Sequence, residues 1–202
     1  SRDWSSDVCS SDLLSNSRWD LPHNFFQRME NDLDEAHVNF VHKTQADLAL
    51  ELSVLPQFDA KETDYGILRI GTRHRGATKD VRYSHMLMPN TTLIVVPPST
   101  QEDNWAVHLA WRVPASADKT VSLVASRRKI HAPAKEAPAW PPVDYYVKEV
   151  LEGRMRMRDI DPAHPLLFNI QDNVVLLAQG AVYDDRETER LGQSDAAVIL
   201  LR

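Results

Sequence analysis

The sequence predicts an α+β domain in which an antiparallel β-sheet is covered by helices, and three observations carry that prediction. From Ala49 to about Arg128 the chain reads as successive strands joined by short turns. The segments before and after this block place apolar residues at helical spacing. Helices are therefore segregated to the flanks instead of alternating with strands, as they would in a parallel sheet. At 202 residues, 43% apolar and 26% charged, the chain has enough material for one well-packed domain and is too polar for a membrane protein.

Residues 3–13, DWSSDVCSSDL, resemble the translation of a common short-read sequencing adapter, and they contain the only cysteine, Cys9. Residues 1–13 are accordingly expected to be a disordered artefact. The natural sequence is then expected to start near Leu14 and to be a metagenomic fragment cut from a longer protein. FFQRMENDLDEAHVNFVH follows, with Phe25, Phe26, Met29, Leu33, Ala36, Val38, Phe40 and Val41 at roughly helical intervals.

The strand block contains LALELSVLPQF, YGILRIGTRHR, VRYSHMLMP, TTLIVVPP, WAVHLAWRVP and TVSLVASRR, rich in β-branched and aromatic residues. In WAVHLAWRVP, Trp105, Val107, Leu109, Trp111 and Val113 alternate with Ala106, His108, Ala110 and Arg112, the period-2 pattern of a strand with two different faces. Short links such as Pro89-Asn90 and Ala115 to Lys119 make neighbouring strands antiparallel. A Pro-rich connection, residues 131–142, leads to VDYYVKEVLEGRM, opened by Pro141-Pro142, then QDNVVLLAQ and SDAAVILLR, where Ser194 can cap the helix.

The net charge of −6 argues against a nucleic-acid partner. Without a natural cysteine, disulfides and cysteine-held metal clusters are excluded from residues 14–202. No signal-peptide pattern is present, and a cytoplasmic location is expected.

The densest polar signal is Glu30 to His42, set among large apolar residues, where imidazoles and carboxylates are costly unless paired or bound to metal. His37 and His42 are five residues apart, about 140° around a regular helix, so both reach one ion only if the helix ends, tightens or bulges between them. Asp34, three residues before His37, can accept its spare imidazole N–H. Asp32 and Glu35 read as solvated carboxylates. Two neutral imidazoles plus one carboxylate, with other positions open, make the facial triad of non-haem iron(II) oxygenases.

Asn31, Asp34, His37 and His42 together closely resemble the mononuclear-iron motif of Rieske-type aromatic-ring oxygenases. WRVP at 111–114 and the ending QDNVVLLAQG followed by DDRETERLGQSDAAVILLR resemble the vanillate-demethylase and phthalate-oxygenase branch. The resemblance covers nearly all of residues 19–202. It implies a helix-grip, START-like sheet enclosing an apolar cavity, with Fe(II) held by His37, His42 and Asp172. It also implies Asp34 as the link to the cluster domain of a neighbouring subunit, and Asn31 beside the iron.

The [2Fe–2S] cluster of that family belongs to an N-terminal domain that residues 14–202 lack. The fragment is therefore expected to be inactive without it. The implied partners are O2, an aromatic or apolar substrate, a reductase or ferredoxin, and two further copies in a homotrimer. Hydroxylation or O-demethylation is the implied reaction.

Alternatives stand beside these assignments. Asp172 also suits a helix N-cap, with Asp161, Asp184 and Asp185 as substitute ligands. Asn31 equally suits a structural tie within its helix. His85 and His108 could face a cavity, although a solvated or hydrogen-bonded place is favoured. Met86, Met88, Trp105 and Trp111 read as core, and the arginines of RMRMR at 154–158 as a solvated face. A non-redox helix-grip domain binding an apolar molecule, and a zinc hydrolase, are the rival functions; the second lacks an HExxH motif.

Overall fold

The structure, a computed structural model, describes residues 12–44, 54–96, 106–129, 139–183 and 186–202. Among these residues the strands are β1 (Asp12–Leu21), β2 (Gln57–Thr63), β3 (Gly66–Arg75), β4 (Thr78–Leu87), β5 (Thr91–Val96), β6 (Ala106–Ser116) and β7 (Lys119–Lys129). They form one sheet in the order β1-β7-β6-β5-β4-β3-β2, with every neighbouring pair antiparallel. β2 to β7 are therefore a meander, because each link is short enough to return the chain beside itself. At the β2–β3 turn Gly66 has φ +141°, and a Cβ there would lie 2.1 Å from the Met86 carbonyl oxygen, so only glycine lets β3 start against β4.

β1 lies outside the strand block that the sequence predicts. Among its side chains from Ser15 onward, only Trp19 and Leu21 are withdrawn from solvent, so it carries no alternating apolar signal. It forms because β7 would otherwise expose an unpaired edge, and it pairs in register from Asp12 opposite Lys129 to Leu21 opposite Thr120. Asp12 and Leu13, the end of the adapter-like segment, open this strand; residues 1–11 lie outside the described residues. So do most of the expected strand LALELSVLPQF, Trp105, residues 131–138, Asp184 and Asp185.

Five α-helices accompany the sheet among the described residues: α1 (Phe25–Leu33), α2 (Ala36–Val41), α3 (Val143–Leu151), α4 (Leu167–Ala178) and α5 (Ala196–Leu201). The single helical stretch expected over residues 25–42 is broken at Asp34-Glu35, because the Asp34 carboxylate accepts the His37 backbone N–H at 3.2 Å and starts a new helix. Pro142 precedes α3 as expected, whereas Asp195 and not Ser194 stands at the N-terminus of α5. Among the described residues no helix is long and apolar enough to cross a membrane.

Two apolar clusters hold the layers together. Met29 and Leu33 of α1 pack with Ile67, Met86, Ala197 and Val198, joining α1 and α5 to the sheet. Val143, Tyr146, Val147, Ile160, Leu167 and Ile170 bind α3 to α4. The sheet face under the helices also contributes Arg69, Arg73, Ser84, Thr92, Arg112 and Ser122, all buried. On β6 the inward row is Ala106, Ala110 and Arg112, while Val107 and Val113 of the larger apolar row are exposed on the other face. Small and polar residues face inward because α1 and α2 bring carboxylates, not only apolar groups, to this layer.

Candidate metal centre

His42 ends α2, with φ −99° and ψ 9° at the helix C-cap, and this termination turns its ring toward His37. The two ring centroids are 5.3 Å apart. Asp172 lies in the second turn of α4, which begins at Leu167; the helix N-cap alternative therefore fails, because the helix starts five residues earlier. Its carboxylate is almost fully buried and meets both imidazoles, with Oδ1 3.1 Å from His42 Nε2 and 3.5 Å from His37 Nε2. The donor atoms of the three residues all lie within 4.8 Å of one another.

The outer nitrogens are already engaged. His42 Nδ1 lies 2.8 Å from the Gln171 side-chain oxygen, and His37 Nδ1 contacts the Asp34 carbonyl oxygen. Each Nδ1 faces an acceptor to which it can donate; in a neutral imidazole so held the lone pair lies on Nε2. The inward atoms, His37 Nε2, His42 Nε2 and Asp172 Oδ1, are buried without a hydrogen-bond partner among the described residues. Three orphaned donors of these types fit a first-row divalent metal, whose bonds of about 2.0–2.2 Å draw ligand atoms roughly 3 Å apart.

Electrostatics favour a cation at this point. Burial acts to raise the Asp172 pKa, but Arg28, then His37 and His42, outweigh it and hold the carboxyl well below its ordinary range. Burial likewise opposes charge on His37, yet Asp172 and then Asp34 raise its pKa above the ordinary imidazole value. A metal ion would satisfy the demand for positive charge that the imidazole otherwise meets by protonation.

Asp34 and Asn31 occupy different places. The Asp34 carboxylate is partly exposed, 3.8 Å from His37 Nδ1, so its main-chain carbonyl and not its side chain is the close partner of the ring. Asn31 is buried and lines the adjoining cavity. Asp161 is exposed and accepts from the Ala163 backbone N–H, away from the centre. His85 and His108 are half-buried and do not line the cavity; His108 contacts Ser126 at 2.7 Å. Met86 is core, Met88 is exposed, and Arg154 and Arg156 are solvated ion-pair formers.

Asp32 and Glu35, expected to be solvated, are buried and paired. Arg112 grips Asp32 with two bonds of 2.7 and 2.9 Å, Thr92 donates to it at 3.0 Å, and Arg28 lies 3.3 Å away. Glu35 receives Arg73 at 3.1 Å, with Arg69 at 3.5 Å and Arg82 at 3.7 Å. Gly71 makes this possible: a Cβ there would sit 2.7 Å from the Glu35 carboxylate. The β3 row Ile67, Arg69, Gly71, Arg73 alternates with the outward row, which is the signal by which these arginines could have been placed inside.

A cavity of about 120 Å³ is lined in part by His37 and Asp172. Its lining joins Arg28, Asp32, Glu35, Arg69, Arg73 and Arg82 to Val38, Ile94, Val95, Val96 and Phe168. The lining surface is mainly apolar, as expected, with charged groups at part of it because the inward arginines of β3 reach the cavity.

No protein-family model matches the sequence, and no curated protein matches it. Solved structures do share the fold. The terminal oxygenase of carbazole 1,9a-dioxygenase from Novosphingobium sp. KA1 is 15% identical at a TM-score of 0.55, covering 96% of this chain and 56% of its own. NdmA of Pseudomonas putida CBB5 is 14% identical at 0.62, covering 98% and 50%. The quaternary ammonium Rieske monooxygenase CntA is 14% identical at 0.53, covering 95% and 49%. The chain thus has the fold of Rieske-type terminal oxygenases and spans about half the length of these proteins.

Proposed function

We propose that this chain is the mononuclear-iron catalytic domain of a Rieske-type oxygenase. One observation carries the reading: three buried donor atoms, from His37, His42 and Asp172, lie within 4.8 Å of one another and have no hydrogen-bond partner among the described residues. The fold likeness to terminal oxygenases supports it. Iron(II) at this point would supply the activation of O2 that no protein side chain provides.

The residues of this chain do the rest. His37 and His42 would present their inner lone pairs to the ion while carbonyl oxygens hold their outer nitrogens, and Asp172 would balance its charge. Asp34, partly exposed at the outer side of His37, suits the passage of electrons from a cluster domain supplied outside this chain. A ferredoxin is a fitting donor upstream of that domain, since one oxygenase of this fold is known in complex with ferredoxin. In the full protein the electron donor would sit on a neighbouring subunit of a trimer.

Val38, Ile94, Val95, Val96 and Phe168 suit the apolar ring of a substrate, and Arg69 and Arg73 suit an acidic substituent on it. Ring hydroxylation, or O-demethylation where the attacked carbon bears a methoxy group, is the reaction this arrangement serves. It agrees with the resemblance to vanillate and phthalate oxygenases.

Anaerobic iron titration tests the reading. The chain should take up one ferrous ion, and His37→Ala and Asp172→Ala should abolish uptake. With a cluster domain supplied, Asp34→Asn should lose turnover while keeping its iron. A folded wild-type chain that binds no iron would sink the proposal.

A further inference from the structure

Phe168, Gln171 and Asp172 stand at positions i, i+3 and i+4 of α4, which share one helical face. That face encloses a single imidazole. Phe168 stacks on the His42 ring, with centroids 3.5 Å apart and planes 15° from parallel. Gln171 meets the outer nitrogen of the ring at 2.8 Å, and Asp172 meets the inner one at 3.1 Å. His42 is fully buried, and Gln171 is 1% exposed.

The Gln171 amide nitrogen donates to Thr44 Oγ1 at 2.9 Å, and its oxygen is the end turned toward the imidazole. An oxygen there accepts only from a protonated Nδ1, and in the neutral ring the lone pair then belongs to Nε2. Both ends of this hydrogen-bonded link run from α4 to the segment that ends α2.

We propose that Gln171 is the positioning residue of the metal centre: its side-chain oxygen holds the proton on His42 Nδ1 and thereby aims the Nε2 lone pair at the point shared with His37 and Asp172. This rests on the metal-centre reading given above. The partner is uncharged, as is the Asp34 carbonyl that serves His37, so both imidazoles are oriented by neutral oxygens. A carboxylate at position 171 would orient His42 equally well and make it a stronger donor.

Zinc and cobalt affinities of the full chain, measured by chelator competition, test this without any oxygen chemistry. Gln171→Leu should bind both metals about 10- to 100-fold more weakly, and Gln171→Glu should bind as tightly as wild type or more so. In the zinc-loaded wild type, nitrogen NMR should find a slowly exchanging proton on His42 Nδ1. A role confined to tying α4 to Thr44 would alter unfolding by denaturant and leave these readouts in place.

Affinity unchanged in Gln171→Leu would overturn the proposal. So would a His42 Nδ1 proton exchanging as fast as one with no acceptor, a measurement that needs only the wild type if the leucine variant does not fold. Failure of the wild type to hold either metal would overturn the metal-centre reading itself, an outcome distinct from metal binding that ignores Gln171.

Discussion

Arg28 Nη1 lies 2.8 Å from Asp172 Oδ2, while the other carboxylate oxygen, Oδ1, faces the two imidazoles. One oxygen of the candidate ligand is thus held by α1 and the other is left for the centre. The same guanidinium touches Asp32, four residues along its own helix. Arg28 therefore neutralises two buried carboxylates from different parts of the chain.

Removing that cation leaves both acids short of a partner in a buried layer. Arg28→Gln should destabilise the metal-free chain by about 3–5 kcal/mol in urea denaturation, the usual cost of breaking a buried pair. Arg28→Lys should recover only part of this, because an ammonium lacks the planar fork that reaches two carboxylates. Equal stability of wild type and the glutamine variant would contradict the role.

Metal should stabilise the native state alone. Anaerobic addition of Fe(II) or Co(II) at about a hundredfold excess over Kd should add roughly 2.7 kcal/mol and raise Tm, reversibly on chelation. His37→Ala, His42→Ala and Asp172→Ala should show no metal-dependent rise. A rise that survives all three substitutions would place the metal elsewhere.

Acid should weaken the fold through Asp32. Burial acts to raise its pKa, but Arg112 and Arg28 outweigh this and hold it below the ordinary aspartate value. A depressed folded pKa means that the contribution is fully present above about pH 4 and is lost as pH falls through the lower folded value. Urea midpoints should fall toward acid in the wild type as the pH drops from about 6 to about 2.5. Asp32→Asn should start lower at neutral pH and show a flatter acid limb.

The close approach of β3 to Glu35 gives a steric test. Gly71→Ala would place a methyl group 2.7 Å from the Glu35 carboxylate, displacing it from Arg73. The expected cost is about 1–3 kcal/mol in denaturant unfolding, as for other overpacked sites. Gly76→Ala, with open space around the added atom, serves as a comparison that carries backbone strain at φ +61° but no collision.

Several of these features are legible in the amino-acid sequence. The strands YGILRIGTRHR, VRYSHMLMP and TVSLVASRR appear as β3, β4 and β7 within a few residues of their expected bounds. Both histidines reach one point only if the helix ends, tightens or bulges between them, and the helix ends with His42 at its C-cap. Asp172 is picked out by its place in the terminal block, and it stands against both imidazoles. Gln171, one residue earlier, gives no comparable signal, because a glutamine in a helix has no distinctive spacing.

The sequence by itself determined the α+β class and the antiparallel run of strands, and it singled out His37 and His42 as a candidate pair, since periodicity, turn residues and motif spacing are properties of short stretches of chain. Only the tertiary structure decided which face of β6 turned inward, that β1 would close the far edge against β7, and that Asp32 and Glu35 would be buried. Those outcomes depend on partners remote in sequence: Arg112 is 80 residues from Asp32, and Arg28 is 144 from Asp172. A carboxylate is solvated or buried according to whether a guanidinium meets it, and that meeting exists only once the sheet and helices have packed.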